Sequence, residues 1–193
     1  MNPFEKLRVG FALTGSFCTL ETAFTCMEAL ILKGADITPI ISHATATLDT
    51  RFGTAEETKR RLTLLTGRPP LSTVSEAEPI GPGKLLDILL ILPATGNTLA
   101  KLAAGIADTA VTMAAKSHLR NNRPVVLALS SNDALAGGAK NIGHLLNTRN
   151  IYFVPFNQDA PAEKPRSMVF LTGKVMPAME AALKGEQVQP IIG

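Results

Sequence analysis

The chain has no tryptophan, one tyrosine and two cysteines in 193 residues, and each scarcity removes a class of function. Proteins that bind single-stranded nucleic acid stack bases on aromatic side chains along a basic groove. Here the 19 Lys+Arg barely exceed the 16 Asp+Glu, giving a net charge of +3, and the basic run Lys59-Arg60-Arg61 sits beside Glu56 and Glu57. Nucleic acid is therefore not an expected partner, whereas a small anionic ligand suits the composition. Cys18 and Cys26 would lie about 12 Å apart along a helix, too far for a disulfide, and there is no C-x-x-C. They are expected as two buried apolar thiols in a reducing compartment. His43, His118 and His144 are scattered without close carboxylate or thiolate partners, so no metal site is expected. The longest apolar stretch, 88–92, is about a quarter of the ~20 residues a membrane span needs. The first residues mix charges and lead straight into a strand pattern, so no signal peptide is expected and the chain is read as cytoplasmic.

What is present is a globular composition. Hydrophobic residues make up 46%, and 15 Gly and 13 Pro are dispersed without a period. These values fit one compact domain over residues 1–193 and exclude disordered or collagenous chains. Residues 7–13 are a short apolar run bounded by Thr14-Gly15-Ser16, as for a buried strand entering a tight turn. Phe17, Leu20, Phe24, Met27, Leu30 and Ile31 then recur at helical spacing up to Gly34. A second strand is expected over 36–41, with Ser42-His43-Ala44-Thr45 as its polar exit loop. Thr54 and Glu57 have capping-box spacing and open a helix that Gly67 closes.

Residues 68–83 lack a period and read as a long surface connection or a short irregular excursion. A third strand over 85–92 precedes Pro93-Ala94-Thr95-Gly96-Asn97-Thr98 and an Ala-rich helical region to His118, restarted by Asp108 as N-cap. That Ala-rich region is flat enough to serve either as an oligomer face or as an internal helix. Further strands are expected at 125–129 and 151–154, with helices at 139–146 and 177–183 and a polar loop at 158–167. Alternating buried strands and helices define the fold class: a three-layer α/β/α sandwich on a parallel doubly wound sheet. Ligands of such sheets bind outside the strands' carboxyl ends. That rule points to the loops 14–17, 42–45, 94–98 and 130–133.

The residues themselves leave several roles open. Thr14-Gly15-Ser16 can cradle a phosphate, or simply provide the small residue a tight turn requires. G-x-G-x-x-G, the Walker pattern, G-x-S-x-G and H-E-x-x-H are all missing. His43 lies in a strand-exit loop and can face ligand, whereas His118 and His144 fall in helices as surface or packing residues. Lys164-Pro165-Arg166-Ser167 can hold a carboxylate or phosphate, or be a solvated loop. Asp133 and Lys140 lie near the expected ligand edge without assigned partners.

Pro93-Ala94-Thr95-Gly96-Asn97-Thr98, with the helix that follows as far as Thr109, resembles the P-A-S-A-N-T segment of the homo-oligomeric flavin-containing cysteine decarboxylase family. The likeness extends from Thr14-Gly15-Ser16 to Ser130-Ser131-Asn132, most of the chain. It implies a flavodoxin-like or Rossmann-like sandwich that binds FMN and forms homo-oligomers. By position, Gly15, Ser16 and Ser42, with Phe17 beside them, would hold the flavin phosphate. Ala94, Thr95, Asn97 and Ser130 to Asn132 would meet the ring and ribityl chain. Asn97, and His43, which matches the decarboxylases' histidine loosely in position, are the catalytic candidates.

One departure and a second likeness refine that expectation. The decarboxylases' P-x-M-N-x-x-M-W motif is reduced here to Ser130-Ser131-Asn132-Asp133-Ala134-Leu135, which keeps the Asn and loses the Met and Trp, so peptidyl-cysteine decarboxylation is disfavoured. Asn157-Gln158-Asp159, Lys164-Pro165-Arg166-Ser167 and Gly137-Gly138-Ala139-Lys140-Asn141-Ile142 resemble a branch of B subunits in endospore-forming bacteria. With an A subunit, these serve oxidation of dihydrodipicolinate to dipicolinate. That resemblance implies an A-subunit partner, hydride chemistry on FMN or on a nicotinamide (NADP) held by the A subunit, and Lys140, Lys164 and Arg166 as cations for two substrate carboxylates. A non-catalytic flavin-fold partner of the A subunit, and an FMN-dependent decarboxylase or prenyl transferase, are the alternatives.

Overall fold

The computed structural model describes residues 2–193. Five parallel strands make the body of the sheet: β1 (Arg8–Leu13), β2 (Asp36–Ile41), β3 (Ile88–Ala94), β4 (Val125–Ser131) and β5 (Ile151–Phe153). They lie in the order β2-β1-β3-β4-β5. β1 pairs with β2 from Arg8 opposite Asp36, and on its other edge the register with β3 runs from Val9 opposite Ile88 to Ala12 opposite Ile91. The chain thus winds outward in one direction through β2 and in the other through β3. The loops leaving β1 and β3 diverge, opening a crevice at their carboxyl ends.

Burial on both sheet faces explains the near-continuous apolar strands. In β3 all seven residues are buried. Ile88, Leu90 and Leu92 pack with α1 (Leu20–Leu32) and α8 (Val175–Leu183) on one face. Leu89 and Ile91 pack with α6 (Ala110–Leu119) and α7 (Ala139–Leu146) on the other. The three-layer fold class read from the sequence is therefore what the chain adopts. The capping box at α3 (Ala55–Thr66) forms as its spacing requires. The Glu57 N–H donates to Thr54 Oγ1 at 3.1 Å, Glu57 Oε2 accepts the Thr54 N–H at 2.9 Å, and Gly67 ends the helix at φ +70°.

Several local expectations are corrected. The Ser42 to Thr45 exit segment is not a loop: Ser42 caps a short helix, α2 (His43–Thr47), by accepting the Thr45 N–H. Within the irregular 68–83 stretch, Thr73 and Glu76 form a second capping box on α4 (Val74–Ala77). β3 does not stop at Leu92 but continues through Pro93 to Ala94, where its register with β4 shifts, a place that tolerates the missing proline N–H. The Ala-rich region splits into α5 (Gly96–Ala103) and α6, and Thr109 rather than Asp108 caps α6. Ala110, Val111, Ala114 and Ala115 are buried against the sheet, so that surface packs internally. Cys26 is buried as expected, whereas Cys18 is exposed in a turn before α1.

The sheet is also not wholly parallel. Two short strands, β6 (Phe156–Asn157) and β7 (Met168–Phe170), form an antiparallel hairpin, and β7 pairs with Ser130 and Ser131 at the end of β4. β4 therefore carries β5 along its first half and β7 beyond it. Among the described residues, no helix is long and apolar enough to cross a membrane.

His118, in the last turn of α6, is 1% exposed, and its Nε2 finds no hydrogen-bond partner among the described residues. Burial first, and the nearby Arg123 guanidinium second, lower its pKa from 6.5 to about 4. The unfolded chain therefore takes up a proton between these values that the folded chain refuses, and stability falls as pH drops from 6.5 towards 4. A shift of that size corresponds to about 3 kcal/mol at most. Urea unfolding measured across this range should show the loss in the unmodified protein and a flatter dependence in H118Q. Parallel curves would exclude His118 as the source.

Candidate functional site

The β1–β3 crevice is built around Thr14. Its buried hydroxyl donates to the Pro93 carbonyl at 2.7 Å and accepts the Thr95 N–H at 3.2 Å, tying the end of β1 to the end of β3. Thr95 in turn caps α5, its Oγ1 accepting the Thr98 N–H at 3.4 Å. On the other side of the β1 loop, the hydroxyls of Ser16 and Ser130 are hydrogen-bonded at 2.8 Å, joining that loop to β4. Hydroxyls at strand ends and free amides at helix starts give the crevice a polar rim that favours anions.

Two clefts open along this rim and meet at Gly15 and Thr95. The first encloses about 260 Å³ between the β1 loop, the end of β4 and the hairpin. Ser16, Thr95, Ser130, Asn132 and Lys164 line it. The second encloses about 430 Å³ between the starts of α2, α5 and α6, with Ser42, His43, Asn97 and Lys101 in its wall. Gly15 belongs to both. A Cβ placed there would lie 3.5 Å from Ala44 Cβ and 3.7 Å from the Phe17 ring, in ordinary contact, and its backbone is outside the left-handed region. Neither the turn nor the packing therefore demands glycine at this position, which borders both clefts. Gly96 differs, because a Cβ there would meet Ser131 Oγ at 2.8 Å where α5 approaches β4.

The structure thus gathers Gly15, Ser16, Ser42, His43, Thr95, Asn97, Ser130, Asn132 and Lys164 around the joined clefts. Phe17, Ala94, Lys140 and Arg166 line neither. Phe17 packs against the core and Ala94 is buried within β3. Lys140, on α7, and Arg166, one residue before Ser167, are exposed. Sequence reasoning missed Lys101, Thr109, Thr112 and Asp159, all of which line a cleft, whereas Ser167, read with Lys164 as part of an anion-holding loop, does line the first. Thr109 and Thr112 stand at capping-box spacing, a signal present in the sequence; Asp159 and Ser167 converge only because the hairpin folds back.

The hairpin loop supplies the first cleft's charge. Ser167, 3% exposed, donates its hydroxyl to Asn132 Oδ1 at 3.2 Å, beside the Asp159 carboxylate, which receives Lys164 Nζ at 3.3 Å. The Ser167 hydroxyl most of all, then Lys164, hold the Asp159 carboxyl below the usual range against the opposing effect of burial. The cleft mouth therefore carries a fixed ion pair at neutral pH.

Clefts of this polarity at the strand-order reversal of a doubly wound sheet are the cofactor-binding plan of that fold. The profile of the Flavoprotein family matches residues 2–180, and the chain belongs to that family. Over 192 residues it is 43% identical to the B subunit of dipicolinate synthase from Bacillus subtilis strain 168, across 100% of this chain and 96% of the relative. The crystal structure of the dipicolinate synthase B subunit from Bacillus halodurans matches with a TM-score of 0.90 at 43% identity, covering 98% of this chain and 97% of that one. More distantly, the Burkholderia xenovorans protein DmrB in complex with FMN shares the fold, with a TM-score of 0.68, 19% identity, and 93% and 96% coverage.

Ser167 offers a direct check on the electrostatics of the first cleft. In S167A the Asp159 carboxyl should titrate at higher pH, nearer the ordinary carboxylate range, as followed by NMR of the labelled carboxyl carbon. An unmoved titration would show that the hydroxyl does not govern it.

Proposed function

We propose that the chain works as the B subunit of a dipicolinate synthase, a single FMN-binding domain over residues 1–193 that serves oxidation of dihydrodipicolinate to dipicolinate during sporulation. The observation that carries this reading is the pair of adjacent clefts over the β1–β3 crevice that share Gly15 and Thr95. Its support is the full-length likeness to dipicolinate synthase B subunits and the FMN in the fold relative DmrB. The residues fit the group: the hydroxyls of Thr14, Ser16, Ser42, Thr95 and Ser130 line the two clefts, which share Gly15 and Thr95.

In this reading Gly15 gives its N–H group, and Ser16 and Ser42 their hydroxyls, to the phosphate, with Phe17 packed behind the loop. Thr95, Asn97 and the Ser130 to Asn132 segment orient the ribityl chain and ring over buried Ala94. FMN, when bound, supplies a hydride acceptor; the chain's own work is to bind, align and exclude water. The Asn97 amide can donate to a ring edge or a substrate carboxylate, and His43, at the mouth of the second cleft, can exchange a proton with solvent. Lys164 pairs with one carboxylate of the substrate. Lys140 and Arg166, outside the clefts, add positive field for a dianion. The A subunit is the partner, holding NADP where a nicotinamide takes part, and the chain forms homo-oligomers in the cytoplasm, as dodecameric and cage-forming fold relatives assemble.

One observation favours a second reading, in which the chain is a non-catalytic partner that stabilises the A subunit. Among the described residues, neither cleft is lined by Phe, Tyr or Trp to cover a flavin face.

The absorbance spectrum of the purified protein, alone and after incubation with FMN and gel filtration, separates the two. Retained flavin bands support the first reading; a colourless protein that keeps no FMN favours the second and moves the chemistry to the A subunit. If FMN lies against Gly15 where the two clefts meet, G15A should melt like the unmodified protein and bind FMN at least about ten-fold more weakly. Equal affinity would remove the flavin from that contact.

A further inference from the structure

Lys101 lies in the last turn of α5, four residues after Asn97, on the face that lines the second cleft. Its side chain is 24% exposed, and its Nζ contacts both oxygens of Asp108 at 2.8 Å. Asp108 is free for this contact because Thr109 caps α6 in its place. The two partners differ in position: Lys101 is in the cleft wall, whereas Asp108 is 56% exposed and is not among the lining residues. Among the described residues, that wall contains one lysine, no aspartate or glutamate, and the hydroxyls of Thr14, Ser42, Thr95, Thr98, Thr109 and Thr112. A cation held from outside, in a polar wall with no competing carboxylate, is built to receive an anion.

We infer that Lys101 is the cation of an anion subsite in the second cleft and that Asp108 is its resident counter-ion, which an entering phosphate or carboxylate replaces. Removing the two partners then has opposite effects. Without Lys101 the subsite loses its charge. Without Asp108 the lysine has no competing partner, and the anion binds more tightly. A pair that only braces the α5–α6 connection predicts instead that both substitutions act alike, lowering stability and affinity together.

The inference rests on the clefts being ligand sites, and the anion has two sources under the proposed function: the phosphate of FMN or a carboxylate of the substrate. The unmodified protein, K101M and D108N are titrated by calorimetry with FMN, with riboflavin, which lacks the phosphate, with pyridine-2,6-dicarboxylate and with inorganic phosphate, and each is melted alongside. For the anion that occupies the subsite, K101M should weaken binding about ten-fold or more, and D108N should tighten it roughly two- to five-fold. Sensitivity to FMN but not riboflavin places the flavin phosphate on Lys101; sensitivity to the dicarboxylate alone places the substrate there. If FMN binds all three proteins equally and so does the dicarboxylate, the inference fails while the flavin reading stands. If no flavin binds at all, the flavin reading fails, and the dicarboxylate and phosphate titrations still decide: opposite shifts in the two variants support the subsite, and equal or absent binding overturns it.

Discussion

The architecture of the site depends on one buried hydroxyl. Thr14 gives its proton to the Pro93 carbonyl and accepts the Thr95 N–H, so the ends of two strands that lead their chains in opposite directions are held within one hydrogen-bond network. The polar groups it joins lie at the edge of an apolar sheet, where leaving either unpaired is costly. The position of Thr95 fixes the start of α5, and the start of α5 fixes where Asn97 and Lys101 can reach. On the opposite side, the Ser16–Ser130 contact ties the same loop to β4. The two clefts are therefore not independent depressions but two sides of one anchored turn.

Much of this was legible in the sequence because its signals are local. The span of β2 and that of α7 follow from apolar runs and helical spacing, and α3 follows from Thr54, Glu57 and Gly67. The strand-end rule then led to Gly15, Ser16, Ser42, Thr95, Asn97 and Ser130 without any knowledge of packing. What stayed hidden depends on competition or distance. Asp108 and Thr109 are both good caps one residue apart; Thr109 has Thr112 at capping-box spacing, and the aspartate left free pairs with Lys101, which only the fold brings near it. Ser42 followed by His43-Ala44-Thr45 lacks the acidic third residue of a capping box, so a five-residue helix reads as a loop. β6 and β7 are two and three residues long, too short for an alternating pattern, and the convergence of Asp159 and Ser167 follows from their pairing.

The degree of likeness to other proteins follows the same division. At a TM-score of 0.90 the dipicolinate synthase B subunit from Bacillus halodurans shares nearly the whole chain path, whereas DmrB, at 0.68, shares the fold more loosely. A doubly wound sheet specifies where a ligand can bind, while the loops that decide which ligand are free to diverge. Here the pattern is visible in the chain's own chemistry. The hydroxyls rim both clefts, but the charges differ: an Asp159–Lys164 pair at one mouth, and Lys101 with an outlying Asp108 at the other.

The change of partner along β4 has a mechanical consequence. Ser130 and Ser131 belong at once to a cleft wall and to the ladder with Val169 and Met168. The stem of the hairpin is thus part of the same rigid sheet as the strands that border the clefts, and it cannot swing away as a flap without rupturing that ladder. The tip between residues 158 and 167 is bound by no such ladder. Insertions or exchanges there can reshape the entrance while the wall beneath stays in register, which makes the tip the part of the molecule where selectivity can vary at least cost to the fold.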